Sequence, residues 1–139
     1  MFRKNSGNSE EFSLKVMAHP KITILFVDDE DALRQVVQEQ LTLEGYEVDS
    51  ADDGDTAVEK MAEREYNVVL LDIRMPRMNG IDVLKHIKEK RIYTRVIMLT
   101  GVDDLTVALE AVKNGANDYI TKPYDLASLV KCIKRVTAK

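Results

Sequence analysis

At 139 residues, with 45% hydrophobic and 32% charged side chains, the chain has the make-up of one soluble domain and is short for two. Its net charge of −4 argues against direct nucleic-acid binding, which draws most of its affinity from neutralising phosphates. No apolar run approaches the about 20 residues that cross a bilayer, and the single cysteine, Cys132, excludes an internal disulfide framework and fits a reducing cytoplasm.

Residues 1–20 differ from the rest of the chain. They are polar, carry Arg3, Lys4 and Lys15 against Glu10 and Glu11, and lack the apolar core of a secretory signal. They are expected to form a flexible extension ahead of one domain over residues 21–139. The acidity of the chain therefore belongs to that domain.

From Lys21 onward two kinds of segment alternate. Short β-branched or apolar runs, Ile22–Val27, Tyr46–Ser50, Val68–Leu71, Val96–Leu99 and Tyr119–Thr121, predict strands. Those that are apolar throughout are expected to be buried on both faces, whereas Tyr46–Ser50 alternates as an edge strand does. Helical stripes lie between them. Leu33, Val36, Val37 and Leu41 form the first, stopped by Gly45; Ala57, Val58, Met61 and Ala62 form the second. Ile81, Leu84 and Ile87 form the third, and Leu105, Ala108, Leu109 and Val112 the fourth, closed by Gly115. Leu126, Leu129, Val130 and Ile133 form the fifth, with Cys132 near its edge as a partly buried small hydrophobe. Strand–helix alternation with short connections implies right-handed crossovers and a parallel sheet covered on both faces, an α/β doubly wound (βα)5 domain. Ligands of such sheets bind beyond the carboxyl ends of the strands.

Those ends carry chemistry. The first strand runs into Asp28-Asp29-Glu30, the third into Asp72, the fourth into Thr100 and the fifth into Lys122-Pro123. Asp and Thr are common turn and cap residues, and any one of these positions has that plain explanation. Four together, each after a strand expected to be buried, point to one site. Three converging carboxylates raise one another's pKa unless a cation compensates. A small all-oxygen site suits Mg²⁺, which also takes phosphoryl oxygens. Asp72 can then act as a nucleophile toward phosphorus, with Lys122 offsetting the developing charge and the Thr100 hydroxyl donating to a phosphoryl oxygen.

The stretches ILFVDDE, VVLLDIRMPRMNG, VIMLTG and DYITKP resemble the response-regulator receiver family of two-component signal transduction, from Lys21 to about Arg135. The resemblance implies a flavodoxin-like sheet of strand order 2-1-3-4-5, with Asp72 as phosphoacceptor and Asp29 as a direct Mg²⁺ ligand. It makes Asp28 a support of the metal shell and the Arg74 backbone carbonyl a further ligand, with Thr100 and Tyr119 as a switch pair and a cis Lys122–Pro123 bond. Gly80, explained equally by a turn, would help to shape the acceptor site. The implied donor is a histidine kinase or phosphotransfer protein. The implied output is an effector, or a second copy of the chain, engaging the surface of the fourth helix, fifth strand and fifth helix. Such a module would be cytoplasmic, with no membrane or nucleic acid contact of its own. It would be a signalling phosphoacceptor, not an enzyme on an external substrate, although it would catalyse its own phosphorylation and dephosphorylation. Arg74 and Val102 occupy two positions that vary in the family, and neither orients a water toward phosphorus. A slow self-dephosphorylation is therefore expected.

Three other readings compete with this one. A phosphatase resembling the haloacid-dehalogenase type would need a second Asp two residues after the nucleophile, where this chain has Arg74. A flavin carrier on the same fold would need a Ser/Thr/Gly-rich phosphate loop where this chain has Asp28-Asp29-Glu30-Asp31. A pseudo-receiver, binding partners without phosphorylation, usually lacks an acidic residue, the Lys or the Thr; all are present here. His86 and the basic ending Lys131, Lys134, Arg135 and Lys139 read as solvated helix faces. Both a stand-alone receiver and one part of a longer regulator fit the sequence.

Overall fold

The apolar runs become strands, and their parity decides which helix each side chain meets. The computed structural model describes residues 21–138, so the extension expected over residues 1–20 lies outside the described residues. Five strands form one parallel sheet: β1 (Thr23–Val27), β2 (Glu47–Ala51), β3 (Val68–Asp72), β4 (Arg95–Thr100) and β5 (Asp118–Thr121), in the order β2-β1-β3-β4-β5. Between and after them run α1 (Asp31–Leu43), α2 (Gly54–Glu63), α3 (Gly80–Glu89), α4 (Leu105–Lys113) and α5 (Leu126–Thr137). A single 3-10 turn, Val102–Asp104, precedes α4. The expected fold and strand order are both found.

Side chains alternate across a strand. Leu25, Val27, Val69, Leu71, Val96 and Met98 therefore face α2, α3 and α4, packing on Met61, Val83 and Ile87. The intervening Ile24, Phe26, Val68, Leu70, Ile97 and Leu99 face α1 and α5, meeting Leu41, Leu129 and Ile133. All of β3 is buried, as a central parallel strand should be. β2 is an edge with Glu47 exposed, and Arg64 bridges its carboxylates Glu47 and Asp49. Charge on an edge strand discourages pairing with another sheet. Gly45 and Gly115 end α1 and α4 with positive φ (102° and 116°), the backbone that glycine adopts without a Cβ penalty.

The fourth helical stripe is corrected. α4 buries Ala108 and Ala111, whereas Leu109 and Val112, assigned to the core from their spacing, are 48% and 36% exposed. Its sequence LTVALEAVK is apolar on nearly all sides, so periodicity offers two overlapping faces. Packing selects the alanine face. Val36 of α1 is likewise exposed, while its neighbour Val37 is buried. Cys132 is fully buried rather than partly so, with burial foremost and Asp118 next pushing its thiol up to about 11. It is an inert thiol at neutral pH.

Candidate functional site

The sheet order sets β1, β3, β4 and β5 side by side, so their carboxyl ends deliver Asp28, Asp72, Thr100 and Lys122 to one edge. Asp28 is fully buried and held from several sides. Its amide donates to the Ala51 carbonyl at 3.1 Å, and its Oδ1 accepts the Glu30 amide at 2.9 Å. Its own carbonyl accepts an Arg34 guanidinium hydrogen bond at 2.8 Å. Asp29 is exposed beside it. Carboxylate oxygens of Asp28, Asp29 and Asp72 lie within 4.8 Å of one another.

Lys122 supplies the countercharge. Its Nζ donates to Asp28 Oδ2 at 2.9 Å and lies 3.4 Å from Asp72 Oδ1. Burial pulls the lysine's pKa down, but the Asp28 hydrogen bond and the charges of both aspartates outweigh it and leave it raised. Lys122 is therefore fully protonated at neutral pH. The Lys122–Pro123 bond is cis, and the Lys122 amide donates to the Thr100 carbonyl at 2.7 Å, tying β5 to the end of β4.

Asp72 is nearly buried, 6% exposed. Burial first, and then the charge of Asp28, push its carboxyl up to about 6, against the opposing pull of Lys122 and the Arg74 amide. The amide of Arg74 points at Asp72 Oδ1 from 3.4 Å, and that of Ile73 donates to the Leu99 carbonyl at 3.1 Å. Gly80 closes the loop beneath, its amide donating to the Ile73 carbonyl at 3.0 Å. The capping box of Asn79 and Asp82 fixes the start of α3 there.

Thr100 is buried, and its hydroxyl donates to the Gly101 carbonyl at 2.9 Å. Tyr119 packs, partly buried, against the core that α2, α3 and α4 share. Both members of the expected switch pair thus lie on the β4–β5 side of the sheet. His86 and the basic residues of α5 stand apart from this edge.

The donor set fits a hard divalent cation. It is all oxygen, two of its three carboxylates are buried, and one ammonium leaves two negative charges without compensation. The buried hydroxyl of Tyr124, two residues beyond Lys122, has no hydrogen-bond partner among the described residues. Burial, and after it the charges of Asp28 and Asp72, raise its pKa. Sequence reasoning passed over this tyrosine, which follows Pro123 directly and so had to lie at the same strand end. It also passed over Asp104. Arg74 Nε donates to Asp104 Oδ2 at 2.7 Å, forming a forked pair between the loops after β3 and β4. Those loops leave adjacent strands, but Asp103 and Asp104 stand side by side in the second, and the sequence does not say which of them meets Arg74.

A doubly wound sheet of this order, with three carboxylates and a lysine at its carboxyl edge, defines a receiver-type module. Residues 24–134 match the family model described as the response regulator receiver domain, and the chain belongs to that family of two-component signalling proteins. It is 41% identical over 112 residues to the regulatory protein AtoC of Escherichia coli, covering 81% of this chain and 24% of AtoC. It is 36% identical to the chemotaxis protein CheY of Thermotoga maritima over 82% of this chain and 96% of CheY. Among solved structures it superposes on CheY4 of Vibrio cholerae with a TM-score of 0.78 at 31% identity, covering 84% of this chain and 99% of that one. The receiver domain of NtrX from Brucella abortus gives 0.77 at 34% identity, over 81% of this chain and 96% of NtrX's domain. The chain spans about a quarter of AtoC and 42% of TrcR of Mycobacterium tuberculosis. No helix among the described residues is long and apolar enough to cross a membrane.

Proposed function

We propose that this receiver takes a phosphoryl group on Asp72 in a Mg²⁺-dependent reaction and passes the change to a partner. The observation that carries the proposal is the setting of Asp72: a nearly buried carboxylate clustered with Asp28 and Asp29 and 3.4 Å from the Lys122 ammonium.

Asp28, Asp29 and Asp72, with the Arg74 carbonyl, would hold the metal. Bound there, Mg²⁺ offsets the carboxylate charge that otherwise repels an incoming phosphoryl group. An Asp72 oxygen then bonds to phosphorus while the bond to the leaving group breaks, the electron pair staying on the imidazole nitrogen of a phosphohistidine in a histidine kinase or phosphotransfer protein, or on the carboxylate oxygen released from a small acyl phosphate. Lys122, already protonated and anchored on Asp28, meets the phosphoryl oxygens without needing to move far. The Thr100 hydroxyl can exchange the Gly101 carbonyl for a phosphoryl oxygen, and the Tyr119 ring can take up the space that this turn leaves.

The output would be read on α4, β5 and α5. Val107, Leu109 and Val112 are between 36% and 48% exposed there, an apolar surface suited to an effector or to a second copy of the chain. We place the protein in the cytoplasm, a compartment that suits its lone, buried cysteine.

Intact mass after incubation with acetyl phosphate tests the acceptor, with and without Mg²⁺ and beside Asp72→Asn. One added phosphoryl group is expected, dependent on Mg²⁺ and absent in the variant. No addition under any condition would overturn the proposal in favour of a phosphorylation-independent binding module. Release of inorganic phosphate from phosphate esters would instead indicate a phosphatase.

A further inference from the structure

The loop between β3 and α3 is tied to both neighbouring loops by arginines. On one side Arg77 donates to Asp53 at 3.1 Å. Asp53 has a second task, because it caps α2 by accepting the Thr56 amide at 2.7 Å. The other tie is different. Arg74 binds Asp104 through two nitrogens, Nε to Oδ2 at 2.7 Å and its terminal nitrogen to Oδ1 at 2.5 Å. Asp104 occupies the N-cap position of α4, yet its side chain makes no capping hydrogen bond.

Two demands therefore compete for one carboxylate. Asp is among the best N-cap residues, and the amides it would serve are those of Thr106 and Val107 in the first turn. Arg74 holds it instead. Arg74 is also two residues from Asp72, with its amide 3.4 Å from the Asp72 carboxylate, and 78% of its side chain is exposed and free to turn. A phosphoryl group on Asp72 would add about two negative charges and three acceptor oxygens, a stronger attraction for a guanidinium than one carboxylate.

Resting on the reading of Asp72 as phosphoacceptor, we propose that Arg74 and Asp104 form a two-position latch. In the unphosphorylated protein Asp104 serves Arg74, and no side chain caps the first turn of α4, whose leading amide, that of Leu105, donates to the Val102 carbonyl of the 3-10 turn. After phosphorylation Arg74 turns to the phosphoryl group, and Asp104 caps α4. The helix start thus senses the acceptor through two side chains, separately from Thr100 and Tyr119. Asp104 is a positioning residue in this scheme. It touches no reacting atom.

Amide hydrogen exchange of the full chain reads the latch directly, with phosphorylation by acetyl phosphate and Mg²⁺ followed by intact mass on the same samples. In the wild type, phosphorylation is expected to slow exchange in the first turn of α4 several-fold. Asp104→Asn keeps a capping side chain but loses the charge that holds Arg74, so it should show slow exchange before phosphorylation and little further change. Arg74→Gln should behave like Asp104→Asn. Asp104→Ala can neither cap nor pair and should exchange fast in both states. Full phosphorylation of the wild type with no change in this turn would overturn the latch and leave the acceptor standing, as would slow exchange in Asp104→Ala. Absence of any mass gain in the wild type would overturn both.

Discussion

Gly80 lies so close to the main chain of Asp72 that a Cβ built on it would sit 2.3 Å from the Asp72 carbonyl oxygen and 2.9 Å from the Ile73 Cα. Backbone on both sides leaves nothing flexible to yield, so a methyl group must displace the main chain of Asp72. Gly80→Ala is expected to cost about 1–3 kcal/mol, the scale of overpacking a tight site, read as a lower urea midpoint. It should also lower the rate of phosphorylation by acetyl phosphate by more than this loss of stability explains. A variant with wild-type midpoint and rate would mean that the loop relaxes freely.

The protonation of Asp72 gives a stability signature. Burial and then Asp28 lift its carboxyl to about 6 in the folded chain, above the about 3.9 of an unfolded aspartate. A raised folded pKa favours the native state fully below the unfolded value, and this contribution is lost as pH rises through about 6. Asp72→Asn never acquires the charge. In EDTA it should be more stable than wild type by about 1–3 kcal/mol at pH 7 and nearly equal to it at pH 4. Mg²⁺ should narrow the gap at pH 7, since a ligand of the native state stabilises it. Thermal melts at the two pH values, with and without Mg²⁺, decide the matter.

Tyr124 tests the same carboxyl edge of the sheet. A buried hydroxyl without a partner costs about 1–3 kcal/mol of desolvation, and Tyr124→Phe deletes only that oxygen. The variant is expected to unfold at higher urea concentration than wild type in EDTA. A lower midpoint would show that the hydroxyl is satisfied in solution.

The phosphoryl lifetime depends on what can orient water. Arg74 carries only hydrogen-bond donors and cannot accept from a water in either position of the latch, and Val102 is apolar and 72% exposed. Replacing Arg74 by Asn and Val102 by Glu together supplies polar groups at both positions. It should shorten the lifetime about tenfold, a barrier change of about 1.4 kcal/mol, followed as decay of the phosphorylated mass after the donor is removed. An unchanged lifetime would rule these two positions out as its determinants.

The site was legible because each part sits where a strand stops. Apolar runs ending in Asp28, Asp72, Thr100 and Lys122 fix position along the chain, and one parallel sheet brings such ends together whatever the loops do. The cis Lys122–Pro123 bond and the edge role of β2 followed by resemblance and by alternation, and both are found. What failed to show was rotation about a helix axis. Leu109 and Ala111 are both apolar, and only the space between α4 and the sheet selects the alanine. Pairing between loops was equally hidden. Asp103 and Asp104 are adjacent and chemically alike, and backbone direction after β4 decides which of them meets Arg74.

The alanine face of α4 has a mechanical consequence. α3 is anchored by Val83, Leu84 and Ile87, side chains that each hide a large apolar surface. α4 rests on the sheet through Ala108 and Ala111, whose methyl groups hide little. Sliding or tilting α4 therefore re-exposes little oil to water, while the same displacement of α3 would tear out three bulky anchors. Of these two helices α4 is the compliant one, so a displacement passed to both from the carboxyl edge of the sheet would be taken up first in α4.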